Sequence, residues 1–484
     1  MLYEWPLREE FLNRADDLAR MEEWYGSRDR NALALYGRRR VGKSWLLRRF
    51  AHGKRAILLV AERVAEGSQL TKFAAALEPA LGVRPEIPNV PSLLRLLYRL
   101  GREQRTLAIV DEFPYLLPAS EGSREATLTA IQAIMEEERE GSQTRLLLCG
   151  SLIAQMEGLF AAGSALRGRL TPLPVAPLSF AEAAPFIVER SPAARITRYA
   201  VTGGMARYLG DLGRGGSLRG LVCSAVLDRR GPLFNDPREV LEQELRQPAV
   251  YFSILEELSH RRRNLQELAT ALRVTKTTLP RYLENLHTMG LVERVVPVTA
   301  GPRAKGGHYR IGDGFLRFWF RFVFPYQEDL QAGLRPADLY DTEIDPNLAD
   351  HVAPTFESIC RAWTRASYGT LAQRVGPWWG NARNDLRRDG LRHTEEIDIL
   401  GLGRGVVRIV GECKWTRRPM GVEILSDLDT YKLPALRQDA QRLAGEPLIL
   451  LFSRSGYTRG LRDAARRDRH VRLVELQELV PGVR

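Results

Sequence analysis

The sequence predicts an α/β fold in several domains. A parallel sheet around a phosphate loop comes first, a module of helices and a hairpin follows, and a second α/β domain ends the chain. Three observations predict it. An apolar run, Ala32-Leu33-Ala34-Leu35-Tyr36, leads into Gly37-Arg38-Arg39-Arg40-Val41-Gly42-Lys43-Ser44, and a helical pattern leads out through Phe50. A second apolar run, Leu107 to Val110, ends in Asp111-Glu112. Near the C-terminus, Ile397-Asp398-Ile399-Leu400 and Gly411-Glu412-Cys413-Lys414 set charges inside strand-like stretches.

The bulk numbers set the frame. A chain of 484 residues holds several cores. Hydrophobic content of 44% and charge of 27% are those of a soluble protein. No apolar run is long enough to span a bilayer. The first residues, Met-Leu-Tyr-Glu-Trp-Pro, lack the basic and apolar regions of a secretory leader. Cys149, Cys223, Cys360 and Cys413 match neither a disulfide framework nor a zinc spacing. The expected compartment is a reducing cytoplasm, with no membrane partner. A net charge of +12 points to an anionic partner, most simply DNA. Only seven of the 71 basic residues are lysine, so arginine clusters carry little weight and each lysine carries more. Lys43 and Lys414 both fall in candidate motifs whose chemistry wants a compact ammonium.

The N-terminal elements follow in order. Leu18, Met21 and Trp24 mark a helix that either covers the sheet or lies over an adenine base. In the phosphate loop, Gly37 and Gly42 let the backbone curl so that N–H groups face phosphate oxygens. The cradle runs from Gly37 through Arg38, Arg39, Arg40, Val41 and Gly42 to Lys43, Ser44 and Trp45, with the helix dipole behind it. Lys43 is expected on the β- and γ-phosphates of ATP, and Ser44 on Mg²⁺. Residues 56–60 read as a strand, 71–78 and 92–100 as helices, with Pro85, Pro88 and Pro91 in a loop between. The strand 107–110 delivers Asp111 to orient Mg²⁺ and Glu112 to polarise the attacking water. A helix at 126–138 precedes the strand Leu146 to Cys149. Ser151, at its tip, reads equally as a γ-phosphate sensor or as an N-cap for the helix from Leu152. Arg167 or Arg169 supplies charge to the transition state, in cis or at a neighbour's nucleotide, or lies in a solvated loop.

The remainder divides by character. Residues 1–178 are the ATPase core, and 179–243 a helical lid beside the nucleotide opened by the capping box Ser179 to Glu182. Residues 244–312, three helices and a hairpin, read as a winged helix. Its third helix, 277–287, would enter a major groove with Lys276, Thr278 and Arg281, and its tip would set Arg303 and Lys305 on phosphate. A spacer or protein contact is the other reading. Residues 313–344 form an aromatic-rich connector, with Phe315 to Phe322 packed at a junction. In residues 345–484, the period of two puts Glu412 and Lys414 on one face. Asp398 can share a divalent metal with Glu412, Lys414 assists, and Glu357, in a helix from Pro354 to Ser367, is a further ligand. The bland reading is a charged hairpin facing solvent. Against it, Asp398 and Glu412 interrupt buried-looking strands.

Tyr36 to Ser44, Ile109 to Phe113, Cys149 to Ser151 and Leu166 to Leu170 together resemble the archaeal-type P-loop ATPases of the AAA+/STAND group. Thr202-Gly203-Gly204-Met205-Ala206-Arg207-Tyr208-Leu209 is similar to that group's box near the adenine, with Ala206 where proline is usual. Phe11 and Arg14 resemble its N-terminal Phe-x-x-Arg box. Tyr309 to Asp313 and Phe315 to Pro325 resemble the C-terminal region fused to such ATPases. Asp398, Glu412 and Lys414 map onto the PD-(D/E)XK nuclease pattern. The resemblance implies a P-loop NTPase sheet with a helical lid, a winged helix and a restriction-endonuclease-like α/β domain. It implies ATP and Mg²⁺ as cofactors, adenine contacts at Phe11, Arg14, Gly204 and Tyr208, and an oligomer in which Arg169 reaches a neighbour. The expected function is ATP hydrolysis controlling DNA engagement or cleavage. The alternative is an ATP switch whose nuclease-like domain only binds.

Overall fold

A computed structural model describes residues 13–27, 31–213, 215–245, 248–301, 304, 306–381, 394–438 and 442–480. Two compact units result. Residues up to Pro177 form the first, together with Met205–Arg207, and the rest from Leu178 form the second.

The first unit is a five-stranded parallel sheet. Its strands are β1 (Ala32–Tyr36), β2 (Ala56–Val60), β3 (Leu107–Asp111), β4 (Arg145–Gly150) and β5 (Leu170–Pro174), in spatial order β2-β3-β4-β1-β5. Every residue of β1, β3 and β4 is buried, as apolar runs between two helical layers must be, with charge only at the strand ends, Asp111 and Arg145. Inserting β4 between β1 and β3 brings the C-terminal ends of all three to one edge. The helix Ala15–Gly26 buries Met21 and Trp24, with the Trp24 ring 6.4 Å from that of Phe50. It covers the core.

In the second unit, residues 248–311 run helix, strand, helix, helix, strand, strand. The helices are Pro248–His260, Leu265–Leu272 and Leu279–Thr288. The strands β6 (Arg263–Asn264), β7 (Val292–Val295) and β8 (His308–Ile311) form a sheet in the order β6-β8-β7. Pro280 sits in the first turn of its helix, where its missing N–H costs nothing. The two-residue β6 was not foreseen, because two residues have no period.

The C-terminal sheet is mixed. β9 (Arg374–Asn381), β10 (Thr394–Gly403) and β11 (Val406–Lys414) are antiparallel neighbours, and β12 (Arg442–Ser453) and β13 (Val471–Val474) run parallel to β11. The helix Asp345–Tyr368 packs on one face. It is longer than expected and carries Pro354 inside it rather than at its start.

One domain expectation is corrected: the helices Phe180–Ala183 and Pro192–Thr202, expected in a lid beside the nucleotide, pack into the second unit. Phe180, Ile196 and Ala200 lie in one apolar cluster with Phe356, Ile399 and Phe452, inside the second unit. His351 Nε2 also pairs with the Ala200 carbonyl at 3.0 Å. In the aromatic segment Phe315, Phe318, Trp319 and Phe320 are fully buried, as so hydrophobic a run requires, and the Trp319 indole N–H donates to the Phe234 carbonyl.

Ile196→Ala tests this partition. It should lower the stability of the second unit by about 2–5 kcal/mol in denaturant unfolding, with nucleotide affinity changed less than about two-fold. Loss of affinity at unchanged stability would restore the lid.

Candidate functional site

The phosphate loop owes its shape to two constraints. Gly42 has φ 102°, in the left-handed region, at the cap of the helix Lys43–Ala51. A side chain on Gly37 would collide with the Val175 carbonyl, so only glycine lets the loop pass that strand end. Lys43 is buried, and its Nζ donates to the carbonyls of Gly37 (2.8 Å) and Arg38 (3.1 Å). Ser44 and Trp45 are exposed in the first turn.

The loop is braced from outside. Arg14 donates to the carbonyls of Val41 (2.8 Å) and Ala176 (2.7 Å), and so ties the loop to the end of β5. Its guanidinium fastens the loop, a different task from the expected adenine contact. Phe11 lies outside the described residues. Arg207 N–H donates to the Arg40 carbonyl, and Ala206 lies against Gly42. Arg39 reaches the Tyr115 hydroxyl at 2.6 Å, on the turn that follows β3.

Beside the loop, Asp111 is buried at the end of β3. Burial first, and then the neighbouring Glu112, push its carboxyl up; a hydrogen bond with the Cys149 thiol and the Lys43 charge oppose them. Cys149 was missed as a site residue, since an apolar strand hides which side chain faces the site. Glu112 takes a left-handed φ of 53°, turning its carboxylate toward β4. There Glu112 Oε2 accepts from Ser151 N–H (3.1 Å) and Ser151 Oγ–H (2.8 Å). The capping reading of Ser151 is thereby corrected. Leu152 is the N-cap of the next helix, and the Ser151 hydroxyl is committed to Glu112.

Three other expectations are corrected. Arg169 precedes β5 and lies at the N-terminal edge of the sheet, where the following Leu170 pairs with Ala32. A five-residue strand, about 16 Å of sheet, separates that edge from the phosphate loop, so Arg169 cannot act in cis. Its guanidinium pairs with Glu136. Gly204 lies against the Leu178 backbone, where any side chain would clash. Tyr208 is buried with its ring 4.1 Å from that of Phe315 and its hydroxyl on Asp236, 2.9 Å away. Both positions build the second unit's core.

In the second unit, carrying the β10–β11 register one residue beyond Ile399 and Gly411 sets Asp398 opposite Glu412. Their surroundings are already occupied. Glu412 is fully buried, and its Oε1 accepts from Lys432 Nζ at 2.6 Å. Lys414 lies 3.6 Å from Oε2, which has no hydrogen-bond partner. Asp398 accepts the Cys413 N–H at 2.9 Å. Glu357 pairs with Arg361, which also donates to the Asp398 carbonyl. Among the described residues, no three carboxylates, cysteines or histidines converge as a metal would require. Each acid of the expected metal set, Glu357, Asp398 and Glu412, faces a donor of the protein's own. Lys432 was not singled out from the sequence, although it is one of the seven lysines that the arginine bias makes informative.

Lys276, Thr278 and Arg281 are exposed around the start of the helix Leu279–Thr288, with the Thr278 hydroxyl 2.6 Å from that of Thr275. Arg303 and Lys305 lie outside the described residues.

Residues 11–212 match the family described as an ATPase domain predominantly from Archaea. Residues 319–427 match a family described as archaeal and bacterial proteins of unknown function. An uncharacterized protein of Methanocaldococcus jannaschii is 25% identical over 418 residues, 84% of this chain and 87% of that protein. Among solved structures, the Walker-type ATPase PABY2304 of Pyrococcus abyssi is 19% identical, with a TM-score of 0.45 over 65% of this chain and 97% of that one. Cdc6p from Pyrobaculum aerophilum is 14% identical, with a TM-score of 0.32 over 68% of this chain and 96% of that one. The chain thus carries an ATPase domain of the archaeal type, followed by the domain of unknown function. No helix among the described residues is long and apolar enough to cross a membrane.

The Glu412–Lys432 pair has a pH signature. Burial, then Asp398, raise the Glu412 carboxyl to about 7 against the pull of Lys432 and Lys414. A raised acid is neutral, and costs nothing, below its unfolded value; its charge must be balanced as pH rises through about 7. Lys432→Met should therefore destabilise the second unit by about 3–5 kcal/mol at pH 8.5, and by much less at pH 5.5, in paired thermal melts. A deficit independent of pH would rule out the pair as its cause.

Proposed function

We propose that the chain is an ATP-hydrolysing switch that engages nucleic acid through its second unit. The observation that carries the ATP half is the meeting of Lys43, Asp111, Glu112 and Ser151 at one sheet edge. A hydroxyl and a carboxylate form the oxygen donor set that a hard cation takes. Ser44 and Asp111 would hold Mg²⁺, which when bound neutralises phosphate charge. Lys43 would exchange its two loop carbonyls for phosphate oxygens. Glu112, held by Ser151, is kept from water until that hydrogen bond opens. Released, it takes the water's proton, while the freed Ser151 N–H and hydroxyl face the γ-phosphate. In an oligomer, Arg169 would serve only a neighbour's nucleotide.

The order of helices and strands over residues 248–311 supports a winged helix, with Arg281 exposed on its groove-facing helix and Lys276 exposed in the turn before it. The net charge of +12 supports an anionic partner. For the C-terminal domain, the engaged state of Glu357, Asp398 and Glu412 favours binding over cleavage. One observation keeps the nuclease as a second reading: the unpartnered Oε2 of buried Glu412, opposite Asp398. Incubating plasmid and linear DNA with Mn²⁺, with and without ATP, decides between them. Cleavage lost in Asp398→Ala would replace binding with catalysis.

Lys43→Ala should abolish ATP turnover. Glu112→Gln should keep nucleotide binding and slow hydrolysis by about 10²–10⁴-fold, as loss of a general base does. Steady-state phosphate release beside equilibrium nucleotide binding separates the two, and turnover persisting in a clean Lys43→Ala preparation would sink the assignment.

A further inference from the structure

The second unit contains a cleft of about 1060 Å³ between the 248–311 module and the C-terminal sheet. It lies at the upper end of the volumes of small-molecule pockets, roughly 300–1,000 Å³. That is room for a few nucleotides of one strand, and no room for a duplex. Its lining holds eight arginines and lysines against five carboxylates, an excess of three cations. Most of the carboxylates are already engaged. Glu396 is paired with Arg262, Glu357 with Arg361 at 3.3 Å, and Glu267 accepts the Asn264 N–H at 2.9 Å. Asp398 accepts the Cys413 N–H, and Asp350 faces Arg321.

The cationic lining acts on four of the groups around it. Burial, then Arg310 and Arg321, lower Arg317 to about 10. Burial first, and arginines after it, also lower His260, His308 and His351. Arg317 lines the cleft nine-tenths buried, with an Nε that has no partner, and the Nδ1 of His308 has none either. A lining with a net excess of cations and two buried ring or guanidinium nitrogens left without partners suits an anion.

One wall adds a surface for bases. Trp379, on β9, is half-buried and lines the cleft, with the Arg262 guanidinium 5.0 Å over its ring and the His308 ring edge-on at 4.7 Å. An indole and a guanidinium plane are the two surfaces on which splayed bases stack. Lys276, one of the seven lysines, stands at the rim and joins this cleft to the helix proposed for a duplex groove.

We infer that this cleft binds single-stranded nucleic acid, its phosphates on Arg317 and Arg321 and a base on Trp379. The inference rests on the nucleic-acid reading above and names its form: a strand is separated, or arrives unpaired, before it reaches the C-terminal domain. The bound chemistry is a single-stranded polynucleotide, from DNA or RNA.

Fluorescence anisotropy on the full chain tests it, in EDTA, with a labelled oligothymidylate of about twelve nucleotides, an oligouridylate of the same length and a matching duplex. Trp379→Ala should weaken single-strand binding about ten-fold or more and leave duplex binding unchanged. Trp379→Phe, which keeps a ring, should recover most of the loss. Arg321→Gln should reduce the salt slope of single-strand binding by about 0.7. A preference for either oligonucleotide supports the inference and assigns the source. Single-strand binding unchanged in Trp379→Ala, with duplex binding still weakened by Arg281→Ala, would overturn this inference alone. Binding of no nucleic acid by the native chain would overturn the reading beneath it as well.

Discussion

A carboxylate at the end of a buried strand is the constraint on which both units depend. Asp111 closes β3 at 8% exposure, and Glu412 sits in β11 at 0%. Leaving such a group uncompensated costs several kcal/mol, so the chain must assemble partners around each. Around Asp111 these are the Cys149 thiol, the N–H of Glu112 and the nearby Lys43 charge. Around Glu412 they are Lys432 and Lys414. The difference lies in what remains open. Glu112, beside Asp111, is held by one serine through two hydrogen bonds to its carboxylate, each worth about 1.5–3 kcal/mol, within reach of a ligand's differential affinity. Glu412 is held by a buried ammonium, and undoing that pair leaves a buried charge uncompensated. One site is poised to change state; the other is stabilised in the state it has.

The phosphate loop was legible because its chemistry is local. Eight consecutive residues, a strand before and a helix after suffice, and the structure has both. Asp111 and Glu112 were legible for the same reason. The bracing was not. The Arg14 guanidinium, read as an adenine contact, and the backbone N–H of Arg207 reach the loop from far away in sequence, and no local pattern shows that task. The Thr-Gly-Gly-Met-Ala-Arg-Tyr-Leu stretch was read as one functional box. In fact only Met205–Arg207 groups with the first unit, while Gly204 and Tyr208 pack in the second. A motif of eight residues spans a boundary that periodicity cannot mark.

The C-terminal sheet shows the same division. Strand alternation identified β10 and β11 and put Asp398, Glu412 and Lys414 in the right elements. It could not say which way the carboxylates would be satisfied. That depended on Lys432, in a helical segment after β11, and on Arg361, one turn along from Glu357. The cleft was less legible still. Trp379, Arg317 and His308 come from three separate elements and Arg262 from the turn before β6, so no local pattern joins them.

The choice between lysine and arginine at buried positions follows from the geometry of what each must reach. Buried arginines here divide their forks among separated acceptors. Arg361 serves Glu357, Ser358 and the Asp398 carbonyl, and Arg198 serves Glu189 and the carbonyls of Leu212 and Gly216. The buried lysines among the described residues are Lys43 and Lys432, each aimed at a single locus: the inside of the phosphate loop and the Glu412 carboxylate. A planar fork needs several acceptors spread over its edge, whereas an ammonium needs one point and can leave it by rotating a flexible stem. At both buried lysines the partner is met by a small, movable charge. Lys43 would use that mobility when phosphate displaces its carbonyl partners, and Lys432 spends it on a fixed carboxylate. The same residue type thus serves a phosphate loop and a buried carboxylate, and the partner's own commitment separates the two.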